Sequence, residues 1–167
     1  PYKNQITLIK AMKEILKKNH RVHLYIIGEE FDKECKREML EVIKENNLEK
    51  YITFTGFETD IRSYLEKCDI YVQPSFNEGL GRSIIEAYLF SIPTIGSDIP
   101  GIRSIVKNDF NGLLFDPSNH IELSQKILTL IENDKMRTNF GKQGRQFVCQ
   151  HFNLEENSKK IEEYIIE

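Results

Sequence analysis

Short apolar runs that end on glycine or proline alternate with longer amphipathic runs along this 167-residue chain, and that alternation leaves few folds open. Residues 21–27 read as a strand in which Val22, Leu24 and Ile26 alternate with His23 and Tyr25 before Gly28. Further strands are expected at 51–55, closed by Gly56, and at 69–73, stopped by Pro74. Two more follow at 93–96 and 113–115, the last entered through Asn111-Gly112. Between them fall helical patterns. Residues 5–18 place Leu8, Ile9, Met12, Ile15 and Leu16 on one face, with the side chain of Asn4 expected to cap them. Residues 31–47 carry Cys35, Met39, Leu40 and Ile43 inward, and a short helix starts at Thr59 or Asp60 and runs to Lys67. A helical turn is expected at 102–106, and Asn119 with Glu122 forms a capping box for a helix to Glu132. Helices at 135–151 and 154–166 close the chain. Strand and helix alternating through most of the length specify an α/β fold: a Rossmann-like parallel sheet flanked by helices on both faces.

Composition removes several functions. A net charge of −3 offers no basic excess for tracking nucleic-acid phosphates, so no nucleic-acid partner is expected. No apolar run approaches the roughly 20 residues that a membrane-spanning helix needs. Cys35, Cys68 and Cys149 lie far apart with no C-x-x-C pair, which suggests neither a zinc site nor a disulfide framework and points to structural thiols in a reduced, intracellular setting. His20 and His23 have no carboxylate or cysteine at ligand spacing, so no metal is expected.

In open parallel sheets, ligands bind at the carboxyl ends of the strands. Directly after the strand ending near Gln73 comes NEGLGRSIIEA, residues 77–87. Two glycines bracket Leu80 and a helix pattern starts near Gly81, so free backbone N–H groups at the helix start form an anion site. Glu78 stands before the turn and Glu86 more than one turn into the helix. That spacing suits two carboxylates holding different parts of an extended ligand with an anionic middle, because carboxylates accept hydrogen bonds from sugar hydroxyls. Read alone, the same residues also allow a loop charge and an exposed helix glutamate.

The run from Pro74 to Gly81 through Ile85-Glu86-Ala87, then Pro93–Asp98 and Pro100-Gly101, resembles the donor-binding domain of family 4 retaining glycosyltransferases, which have the two-domain GT-B fold. The likeness extends over Ile26-Ile27-Gly28, Ile52–Gly56, Leu65–Tyr71 and Asn111–Phe115. By that resemblance, Glu78 would contact the donor sugar as the catalytic carboxylate and Glu86 would bind the ribose. Gly79, Leu80 and Gly81 would face the donor sugar and diphosphate, Lys3 would neutralise the diphosphate, and Phe57 would lie at the nucleotide base. Ser91 replaces a common glycine, and Ser104 stands where a glutamate is frequent, so Ser104 takes no role.

The resemblance implies transfer of a sugar from a nucleotide diphosphate donor, with retention of configuration, to a glycan or lipid-linked acceptor in polysaccharide biosynthesis. The nucleotide sugar is then the substrate; no cofactor and no metal are expected, since basic side chains and the helix dipole would stabilise the leaving diphosphate. Opening on Pro1-Tyr2-Lys3-Asn4, residues 1–167 read as a truncated donor domain without its first strand and without the acceptor-binding N-terminal domain. Residues 135–167 would supply its C-terminal helices. Such a piece is expected to be inactive by itself and to self-associate weakly through an open sheet edge. A cytoplasmic location is expected, at the inner membrane face only through peripheral contacts of the full-length protein. The competing reading is a non-catalytic module that binds a nucleotide or nucleotide sugar. A hydrolase is weaker, because Ser75 and Ser83 lack a histidine partner.

Overall fold

In a computed structural model, residues 3–28 and 33–152 are described. The strands β1 (Leu24–Ile27), β2 (Ile52–Gly56), β3 (Tyr71–Gln73), β4 (Thr94–Ser97) and β5 (Gly112–Phe115) fall where the apolar runs placed them. So do the helices α1 (Gln5–Leu16), α2 (Lys33–Glu45), α3 (Arg62–Leu65), α4 (Arg82–Leu89), α6 (His120–Glu132) and α7 (Asp134–His151), whereas the helical turn expected at 102–106 starts two residues earlier, as α5 (Pro100–Arg103). The expected helix at 154–166 and the first residues of the one at 31–47 lie outside the described residues.

Among the described residues every ladder between named strands is parallel, but the hydrogen bonds divide the strands into two sheets, β2–β1 and β3–β4–β5. Among the described residues β1 and β3 are each laddered on one side only. Alternation along β5 shows how the helical layers attach. Leu113 and Phe115 join the cluster under α1, α2 and α6, whereas Leu114 packs with Ile84, Tyr88, Ile102 and Val148 of α4, α5 and α7. The strands are therefore covered by helices from two sides, as a parallel sheet requires.

Three further local expectations need correction. Leu40, expected inward on α2, is 45 % exposed, and only Met39 and Ile43 of that helix are buried. The helix at 5–18 is not capped by the Asn4 side chain: Asn4 sits in the left-handed region at φ 52°, is 3 % exposed, and makes no cap bond. Its Nδ2 donates instead to the carbonyls of Pro74 and Pro117, at 2.9 and 2.7 Å, while Oδ1 accepts from the Thr7 hydroxyl at 2.8 Å. Asn4 thus ties the start of α1 to the ends of β3 and β5, because two long-range carbonyls need a donor more than the helix needs a cap. The first strand is also shorter than the 21–27 pattern, since the Arg21 N–H turns back to Asn19 Oδ1. The capping box, in contrast, is present: Asn119 Oδ1 accepts from the Glu122 N–H at 3.0 Å.

Candidate active site at the strand carboxyl edge

Gln73 ends β3, and the chain turns through Pro74–Gly81 into α4. Gly81 is the N-cap, with φ 52° and no side chain to accept from the first amides of α4. Only its carbonyl takes part, accepting from Ile84 and Ile85. The positive φ explains the glycine, and the missing cap leaves the leading N–H groups directed at the site with the positive end of the helix dipole behind them. Leu80 is exposed beside it, and Gly79 has open space around its Cα.

The loop is held from below. A Cβ at Gly101, in α5, would collide with the carbonyl oxygens of Glu78 and Gly79. Glycine at 101 therefore lets α5 press backbone to backbone against the loop that carries Glu78.

The structure brings Lys3 and Glu78 together: Lys3 Nζ donates to Glu78 Oε2 at 2.8 Å. The lysine side chain is 59 % exposed and the glutamate 16 %, so the pair is half in water and contributes little to stability. Beneath them lies a polar cluster that sequence reasoning missed. Gln73 is 5 % exposed, and its Nε2 donates to Ser75 Oγ at 2.7 Å and to Glu78 Oε2 at 3.0 Å. Its Oε1 accepts from the hydroxyls of Tyr71 at 2.6 Å and Ser83 at 3.1 Å. Burial pushes the Tyr71 hydroxyl up to about 12, so it remains a donor at neutral pH. A signal for the cluster existed in the sequence: Tyr71, Gln73 and Ser75 recur at the strand period, one polar face in an otherwise apolar run.

Glu86 lies exposed on α4, without a hydrogen bond or ion pair among the described residues. Phe57 follows Gly56 at the end of β2 and is 69 % exposed. Both stand at the carboxyl edge or on the helix leaving it, but neither touches Glu78. No group of three or more His, Cys, Asp or Glu among the described residues is arranged to hold a metal ion. His23, just before β1, shares a hydrogen bond with the Thr53 hydroxyl of β2 at 2.8 Å. Among the described residues no helix is long and apolar enough to cross a membrane.

The family described as "Glycosyl transferases group 1" matches residues 1–147. A poly(ribitol-phosphate) alpha-N-acetylglucosaminyltransferase of Staphylococcus aureus is 30 % identical over 156 residues, covering 93 % of this chain and 31 % of that protein. Anabaena Alr3699/HepE, solved in complex with UDP and glucose, superposes with a TM-score of 0.92 at 26 % identity, over 99 % of this chain and 45 % of that one. A crystallised C-terminal domain of a glycosyl transferase group 1 family protein from Francisella tularensis gives 0.84 at 28 % identity, over 92 % of this chain and 81 % of that one. The chain spans less than half the length of the curated relatives it matches.

Proposed function

Because the chain belongs to the glycosyl transferases group 1 family, we propose that it is the donor-binding, C-terminal part of a retaining family 4 glycosyltransferase. It would hold a nucleotide diphosphate sugar for transfer to a glycan or lipid-linked acceptor. The observation that carries the reading is the uncapped N-terminus of α4 at the carboxyl edge, directly after the loop that carries Glu78. Support comes from the Francisella C-terminal domain, which this chain matches over most of both lengths, and from the UDP-bound Anabaena structure.

In this reading the diphosphate rests on the amides of Gly79, Leu80, Gly81 and the first turn of α4. As the sugar–phosphate bond breaks, charge grows on the departing phosphate, and these preoriented donors stabilise it without rearranging. Lys3 adds a mobile positive charge, moving from Glu78 to the diphosphate when the donor enters. Glu78 faces the sugar as the catalytic carboxylate, Glu86 holds the ribose hydroxyls, and exposed Phe57 covers the base. An acceptor domain supplied by the rest of the protein completes the catalyst, so this part alone binds donor and does not turn it over.

The test is calorimetric titration of UDP into the wild type and Glu86→Ala. Loss of a charged hydrogen bond to ribose is expected to weaken binding by about 1.5–3 kcal/mol. Equal affinities would contradict the ribose assignment.

A further inference from the structure

Gln73 stands outside every role assigned so far, yet it has the best-satisfied side chain in the site. An amide has two donors and an acceptor oxygen with two lone pairs, and all four positions are used here. The orientation is fixed by chemistry: ionised Glu78 only accepts, so the amide nitrogen must face it, and the hydroxyls of Tyr71 and Ser83 then donate to Oε1. On the other side of the contact the bonds are one-sided. Those from Lys3, Gln73 and Ser75 all end on Oε2 of Glu78, at 2.8, 3.0 and 3.4 Å, and among the described residues none ends on Oε1. Lys3 is exposed and free to leave, which makes the buried amide the lasting constraint.

We propose that Gln73 is the positioning residue of this site, pinning Oε2 of Glu78 so that Oε1 is presented to the donor sugar. The sugar half of this statement rests on the function proposed above; the contact itself does not. Through Ser83, in the first turn of α4, the same amide couples the carboxylate to the helix that would bear the diphosphate. One side chain thereby sets sugar contact and phosphate cradle in register.

A charge swap read by thermal unfolding tests the contact without ligand. In Q73E two carboxylates meet, and they cannot both stay ionised at that separation without penalty. Q73E is therefore expected to lower Tm at neutral pH and to recover as the pH falls and one group protonates. Q73E/E78Q exchanges donor and acceptor across the same contact and is expected to restore most of the lost Tm. Additive effects of Q73E and E78Q would overturn the contact. The near-isosteric Q73M, which keeps the bulk, tests positioning: the ratio of the dissociation constants for UDP-glucose and UDP should move about tenfold against UDP-glucose, the scale of one charged hydrogen bond. A residue that merely holds the fold would lower Tm and leave that ratio unchanged, and an unchanged ratio would overturn the proposal. Wild type that binds neither probe would contradict the nucleotide-sugar reading, and the swap would still decide whether Gln73 holds Glu78.

Discussion

Tyr71 shows how burial and chemistry meet at one residue. Its hydroxyl donates to the Gln73 amide and is raised from 10.0 to about 12, chiefly because the site strips water from the anion. The unfolded chain ionises it near 10, so its contribution to stability is intact below that pH and is lost as pH rises through about 12. Tyr88 is shifted the same way by its burial. A spectrophotometric tyrosinate titration should therefore show a late phase, reduced in Tyr71→Phe; a single phase with the ordinary midpoint would contradict the burial argument. Gly101 gives a second residue-scale expectation. Gly101→Ala forces apart two backbones in contact, at a cost of about 1–3 kcal/mol, the range for overpacking. Urea unfolding should report that loss, and wild-type stability would mean that the loop and α5 separate easily.

Among the elements, α4 is fixed at both ends by backbone that ordinary side chains resist. It starts at Gly81 and ends near Ser91, which takes φ 58° before the chain enters β4. The left-handed region costs a non-glycine residue roughly 1–2 kcal/mol, which explains why glycine would be the natural choice at position 91. Ser91→Gly should raise stability by up to about 1 kcal/mol once the greater freedom of unfolded glycine is set against that relief. Chemical denaturation would show it, and a loss of stability would indicate that the serine side chain has a role of its own. Against the same helix, α7 packs through Gly144, where a Cβ would collide with the Tyr88 ring, and through Gly141, which meets the Ser91 carbonyl. The site's helix is thereby clamped from behind.

Across the whole molecule, what was legible in the sequence followed from local rules. Apolar period and Gly or Pro stops located the five strands, and Asn119 with Glu122 announced α6, because each signal lies within one turn or strand. Asn4 misled for the opposite reason: the carbonyls it serves, Pro74 and Pro117, are distant in sequence and close only after folding. Gln73 was passed over because a polar residue in a strand offers no motif, although its partners at 71, 75, 78 and 83 are near in the chain. The division into two sheets was likewise hidden, since strand pattern reveals faces and not neighbours. Glu78 and Glu86 stood out by sequence, but their separation into a pinned, half-buried carboxylate and a free, exposed one is a product of the fold.

Everything proposed for the site depends on the uncapped start of α4 receiving a diphosphate. Backbone amide shifts followed by NMR while UDP is added to the chain test it most directly. Gly79, Leu80, Gly81, Arg82 and Ser83 are expected to move first and furthest, with Glu86 and Phe57 responding at the same UDP concentrations. Saturable shifts centred on another edge of the molecule, with these amides unmoved, would contradict it.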